Sequence, residues 1–123
     1  MSKKNIEKYI PEVMNVLQNE FPDGVISSAY NGYISSFGAS VIQSGLLPTL
    51  ALFENTNAQT KEDKSYLTYI IFRVLSNSKD DISLLHYVLL NNNKEYKQTI
   101  LDIAIAIKLS IRTFKLKKGE DDE

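Results

Sequence analysis

A chain of 123 residues is long enough for one domain, and 43% hydrophobic residues suffice to give it a buried core. Its 14 basic and 15 acidic residues leave a net charge of −1, which excludes a strongly basic nucleic-acid protein and an acidic disordered chain. The absence of cysteine removes disulfide scaffolds, thiolate metal sites, iron–sulfur clusters and cysteine nucleophiles together and favours a reducing cytoplasm, while a single histidine all but excludes paired-histidine catalysis and multi-histidine metal sites.

The N-terminal stretch MSKKNIEKYIPEV is positively charged but no apolar run follows it, so no signal peptide is expected. No apolar run approaches the ~18 residues of a membrane span. A first helix is expected from an N-cap at Ser2, with Ile6, Ile10, Val13, Met14 and Leu17 at helical spacing. Pro11 either kinks this helix or opens it. Phe21, Pro22, Asp23 and Gly24 form a turn, with Asp23 capping a second helix over 24–43. Its apolar stripe is Ile26, Tyr30, Tyr33, Ile34, Phe37 and Val41. Gly45 suits a left-handed stop, and Pro48 suits the first turn of a short third helix ending near Phe53.

Residues 55–60 read as a surface loop. Thr60 with Asp63 is a weak capping box before a fourth helix through Leu67, Ile70, Ile71, Val74 and Leu75, which Ser76-Asn77-Ser78 ends. Asp80 or Asp81 caps a fifth helix, with Ile82, Leu85, Val88 and Leu89 inward. Asn92 with Glu95 resembles a further capping box and opens the longest helix, about 93–115. Within it Ile103, Ile105, Ile107, Leu109 and Ile111 alternate with Ala104, Ala106, Lys108 and Ser110, which in isolation is a strand pattern. The preceding cap, the lack of a turn residue and the helical neighbours favour a helix that is apolar nearly all round, as in the centre of a bundle. The expected fold is all-α: a single compact helical bundle of about five to six helices over 1–116, followed by a disordered acidic tail at 117–123.

The charges are unevenly distributed. From Gly24 to Phe53 no ionisable Asp, Glu, Lys, Arg or His occurs, so this stretch is expected to pack inside the domain or against another subunit. Within it Ser28, Gly32, Ser36, Ser40 and Ser44 recur every fourth residue and follow one shallow stripe on a helix. Small side chains there allow either a tight helix–helix contact within the domain or docking of a neighbouring subunit or an RNA backbone. Between residues 94 and 118 the balance reverses: seven basic residues meet only Glu95 and Asp102. On a continuous helix, Lys94, Lys97, Lys108, Arg112, Lys115 and Lys118 fall within roughly a third of the circumference. Such a row suits a phosphodiester backbone; equally, it suits a solvated face with cations at a helix C-terminus.

No phosphate-binding loop, dinucleotide fingerprint, zinc-protease motif or nucleophile elbow occurs. Adjacent Asp80 and Asp81 do not share a helix face and read as caps. His86 lies in an apolar helix without partners and reads as a packed or surface residue. The seven tyrosines could stack on bases, but Tyr30 and Tyr33 fall in the uncharged segment, where core or interface packing is favoured. No enzymatic activity, cofactor or metal is expected.

The segment Ser28–Glu54, SAYNGYISSFGASVIQSGLLPTLALFE, resembles the small helical subunit of the type III-B CRISPR RNA-guided effector complex, the Cmr complex. The likeness rests on Tyr9-Ile10-Pro11 in the first helix, on the aromatic Tyr30, Tyr33 and Phe37, on the Gly45-Leu46 step, and on apolar Leu50-Ala51-Leu52-Phe53. The chain departs from the family pattern at Ser35 and Ser36, where Lys is common, which shifts expected phosphate contacts to the last helix. The resemblance implies a non-catalytic all-α subunit for cytoplasmic antiviral defence. Copies of it would stack head-to-tail beside the backbone subunits, with guide and target RNA as further partners and no membrane. The basic row would help hold target RNA along the guide, and the small-residue stripe would meet other subunits. The competing expectation is a helical adaptor without nucleic acid that binds proteins through residues 24–53.

Overall fold

In the computed structural model, which describes residues 3–55, 64–76, 82–91 and 96–117, the described residues form six helices, one of them central and enclosed by the others. They are α1 (Lys3–Glu20), α2 (Ala29–Ser44), α3 (Leu46–Phe53), α4 (Ser65–Ser76), α5 (Leu84–Leu90) and α6 (Lys97–Ile111). Two three-residue strands, β1 (Val25–Ser27) and β2 (Lys115–Lys117), pair in parallel, with Val25 opposite Lys115, Ile26 opposite Leu116 and Ser27 opposite Lys117. The bundle is mostly helical, as expected.

The centre of the fold is α6, which packs against α1, α2 and α4. The isoleucine alternation resolves into a helix enclosed on most sides. Ile103, Ile107 and Ile111 are buried, and so are Ala104, Ala106 and Ser110 on the remaining faces; of the five alternating residues, Leu109 alone is exposed. Small Ala104 and Ala106 let neighbouring helices approach closely. The one carboxylate of α6, Asp102, is 2% exposed and accepts a hydrogen bond from Gln98 Nε2 at 3.0 Å.

Pro11 lies inside α1 rather than at its start. It cannot donate to the carbonyl of Glu7, but both residues are exposed, so water can serve that carbonyl and the helix continues. The second helix begins five residues later than expected, because residues 25–27 pair with β2. Asp23 therefore caps a turn and not a helix: its Oδ1 accepts from the Val25 amide at 3.2 Å, with Gly24 at φ +76°. Ser28 takes the N-cap position of α2 without a side-chain capping bond; Ser27 Oγ accepts from the Ala29 amide at 3.3 Å instead.

The last helix also ends early, at Ile111 rather than near 115, and the chain turns into β2, which carries the fold through Lys117, one residue past the expected boundary. Helix α5 is capped by Ser83, whose Oγ accepts from the His86 amide at 3.1 Å. Its inward residues are Leu84 and Val88; Ile82 and Leu89, expected inward, are exposed. Glu54 supports the same end, its Oε2 accepting from the Leu85 amide at 3.1 Å. The proposed caps at Ser2, Thr60–Asp63, Asp80–Asp81 and Asn92–Glu95, the end at Asn77-Ser78 and most of the 55–60 loop lie outside the described residues.

Gly45 joins α2 to α3 at φ +98°, ψ 165°, a region essentially reserved for glycine. Its amide closes α2 on the Val41 carbonyl at 3.0 Å, and its carbonyl accepts from the Thr49 hydroxyl at 2.9 Å. An added Cβ would meet only Pro48 Cδ at 3.7 Å, so its cost is conformational, not steric. Gly45→Ala is expected to lower stability by about 1–3 kcal/mol, read from the denaturation midpoint at unchanged slope.

Candidate nucleic-acid and subunit interfaces

The expected row of cations does not lie on one helix. Lys97 is exposed at the first residue of α6, and Lys108 is half-buried in its last turn, roughly 16 Å of helical rise away. Arg112 is exposed at the C-cap position, whereas Lys115 belongs to β2 and leaves the helical row altogether. Lys94 and Lys118 lie outside the described residues. What the structure brings together is Lys108, Arg112, Lys115 and Lys117, at the end of the molecule where α6 gives way to β2.

Strand geometry arranges part of this cluster. Alternation puts Lys115 and Lys117 on the exposed face, roughly 6.5 Å apart along the strand, and Leu116 against the core. None of Lys97, Lys108, Arg112, Lys115 and Lys117 forms an ion pair with a described residue. Burial of Asp102 also withdraws from the surface one of the two carboxylates that oppose this segment in sequence. A helix C-terminus accounts for Lys108 and Arg112, which offset the negative end of the α6 dipole. It does not account for Lys115 and Lys117, which lie off the helix.

The small-residue row begins beside this cluster. The Lys115 amide donates to the Gly24 carbonyl at 2.9 Å, and the Ser28 amide donates to the Lys117 carbonyl at 2.8 Å. Segments about ninety residues apart thus meet, and the positive end of the α2 dipole adjoins Lys117. Of the row itself, Gly32, Ser36 and Ser44 are exposed, and Ser28 and Ser40 are half-buried. Only Ser40 meets a neighbouring helix through a hydrogen bond, at 2.7 Å to Thr49 Oγ1. Because the Thr49 proton goes to Gly45, Ser40 is the donor. A Cβ at Gly32 or Gly38 would meet nothing within 4 Å. Close helix packing within the domain therefore explains Ser40 and not Gly32.

The uncharged stretch 24–53 is divided. Ile26, Tyr30, Ile34, Phe37, Val41, Leu50 and Phe53 enter the core, while Ile42, Leu47 and Leu52 are exposed. Tyr30 is buried and packs edge-on to half-buried Tyr33, as the packing reading expects. Two features carry no local sequence signal. One is the set of side chains on Glu20, which joins the end of α1 to Tyr66, Tyr69 and Arg73 of α4. The other is a groove between α1 and the α6–β2 turn. Both need residues brought together from distant parts of the chain.

Among the described residues no three His, Asp or Glu side chains cluster as metal ligands would, and no helix is long and apolar enough to cross a membrane.

Fold and surface together define a small, mostly helical protein with an uncharged helix face and a cationic end. The chain belongs to the CRISPR-associated protein family Cas_Cmr5, whose model matches residues 2–109. It is thus a small CRISPR-associated subunit of the Cmr type, and this membership implies association with other subunits of a CRISPR effector complex. Arg112 and β2 fall beyond the matched residues. No curated protein and no solved structure matches the chain.

Proposed function

We propose that this chain is a non-catalytic small subunit of the RNA-targeting Cmr complex in cytoplasmic antiviral defence. It stacks with copies of itself beside the backbone subunits and helps hold target RNA along the guide. The observation that carries the RNA contact is the cluster of Arg112, Lys115 and Lys117, which forms no ion pair among the described residues, with Lys108 one helical turn away. Cations on a strand and a turn, without carboxylate partners among the described residues, contact phosphates at low cost in desolvation and read no sequence. Guide pairing supplies the specificity, so none is needed here. Ser28, Gly32, Ser36 and Ser44, with Ile42 and Leu47, offer the uncharged face for a neighbouring subunit. Small outward side chains allow the close backbone approach that a head-to-tail stack requires. Lys97 extends the RNA contact to the start of α6, and the cutting of RNA belongs to another subunit.

Changing Lys108, Arg112 and Lys115 together to Ala tests this directly. RNA retention by complexes assembled with the variant is expected to fall, and the logarithmic salt dependence of binding to lose about two units of slope. Thermal stability should change little, because Arg112 and Lys115 are exposed. Unchanged RNA retention favours the second reading, a helical adaptor that binds proteins through residues 24–53. The exposure of Ile42, Leu47 and Leu52, and of Gly32 and Ser36, in this uncharged stretch speaks for that alternative.

A further inference from the structure

A groove of about 250 Å³ lies where the end of α1 meets the turn between α6 and β2. Met14 and Gln18 line it from α1, Phe21 and Pro22 from the turn that follows, and Thr113 and Phe114 from the segment entering β2. The Thr113 hydroxyl donates to the Ser110 carbonyl at 2.7 Å and lies 3.7 Å from Met14 Sδ, which fixes the turn against α1. Gly24 completes the lining, and its open side would leave an added Cβ without contacts.

Cations flank the groove on both sides. Exposed Arg112 precedes Thr113, and exposed Lys115 follows Phe114 while its amide is bonded to the Gly24 carbonyl. Of the carboxylates beside it in sequence, Asp23 is engaged by the Val25 amide, and Glu20 by the Tyr66 hydroxyl and the Arg73 guanidinium. The volume is smaller than the ~300–1,000 Å³ of pockets for drug-sized ligands. Thioether, proline and two phenyl rings give it apolar, polarisable walls; Gln18 adds an amide and Thr113 a hydroxyl. That combination suits one flat heteroaromatic ring, and the flanking charge selects a ring attached to a polyanion over an apolar protein side chain.

We infer that this groove receives a single nucleobase from an RNA strand whose adjacent phosphates lie on Arg112 and Lys115. The inference rests on the RNA-holding reading and adds a base contact to it. The base stacks against Phe114 and meets the Gln18 amide at its edge. Stacking tolerates any base, and an amide can turn either its donor or its acceptor outward, so no base preference follows. A turned-out base would fix the register of the strand on the subunit, which phosphate contacts alone do not do.

The test compares two ligands on the full chain: a single-stranded oligouridine RNA and an abasic ribose–phosphate oligomer of the same length. Phe114→Leu keeps an apolar side chain but removes the ring, and Gln18→Ala changes an exposed residue that the fold does not need. Both variants are expected to bind the RNA more weakly, Phe114→Leu by roughly fivefold or more. Both should bind the abasic oligomer as the parent does. Arg112→Ala with Lys115→Ala should weaken both ligands. Thiouridine-substituted RNA should cross-link to the peptide containing Phe114. RNA binding unchanged in both groove variants, or reduced equally for the two ligands, overturns the base contact while leaving the phosphate contacts standing. So does a loss of partner-subunit capture with RNA binding intact, which assigns the groove to a protein side chain. Failure of the parent chain, alone and within the assembled complex, to hold either ligand overturns the RNA-holding reading itself.

Discussion

Phe37→Ala is expected to cost about 3–5 kcal/mol and to lower the melting temperature by roughly 10–25 °C. Phe37 is fully buried on the face of α2 that meets the core, and its ring packs edge-to-face on Phe53 at 5.2 Å between centroids. The change removes the transfer energy of a phenyl group and leaves a cavity among α2, α3 and α6, which rigid helices fill poorly. The loss of one aromatic pair adds about 0.5–1.5 kcal/mol within that range. With a total stability of only about 5–15 kcal/mol for such a domain, a large part of the population is expected to unfold under mild denaturant. Ile42→Ala on the same helix is the control. Its side chain is 64% exposed, so the expected change is within about 0.5 kcal/mol. Equal effects at the two positions would mean that α2 does not present the Phe37 face to the core.

The helical part of this fold was legible because helices announce themselves locally. The spacing of Val13 and Leu17, of Ile34, Phe37 and Val41, and of Ile70, Ile71 and Val74 each marks one buried face, and all are buried. Gly45 as a stop and Pro48 in the following first turn were equally local signals. The strand-like alternation of α6 misleads for a physical reason. A helix covered on nearly all sides no longer needs a polar face, so its sequence can adopt any apolar pattern. Of the alternating residues only Leu109 remains outside as a trace of the helical period.

The strands could not be read in advance. VIS and KLK are three residues each and pair across about ninety residues, so neither segment alone carries a signal for the other. Missing them displaced the start of α2, because Asp23 hydrogen-bonds two residues ahead in a turn much as a cap would. It also displaced the end of α6 and with it the helical projection of Lys115. The lysines themselves were visible as a surplus of positive charge. Their gathering with the start of α2, and the groove beside them, follow from the β1–β2 pairing and so depend on long-range contacts. Ser83 instead of Asp80 or Asp81 as the α5 cap is a smaller case: three eligible residues lie within four positions, and spacing alone does not choose among them.

Glu20→Ala is the second change expected to be severe, at about 2–3 kcal/mol. Glu20 ends α1 and ties it to α4 by accepting from Tyr66 and from Arg73 Nη1 at 2.7 Å, with the Tyr69 hydroxyl at 3.5 Å. The Arg73 side chain is 10% exposed and that of Glu20 20%, so removal of the carboxylate leaves a guanidinium with little water and a half-buried phenol without its acceptor. Some exposure of both groups keeps the cost below that of a fully buried pair. The double change Glu20→Ala with Arg73→Leu should recover more than half of the loss, because it removes the orphaned charge as well; additive losses would show instead that the carboxylate acts mainly through the tyrosines. The same cluster makes an alkaline prediction. Burial, followed by the hydrogen bond to Glu20 and its charge, raises the Tyr66 phenol well above its usual pKa near 10. The unfolded chain then loses that proton at lower pH than the folded one. The contribution to stability is therefore complete below about pH 10 and declines as pH rises toward the folded-state value. Denaturation midpoints measured from about pH 8 to 11 should fall at the alkaline end for the parent chain and fall less for Tyr66→Phe.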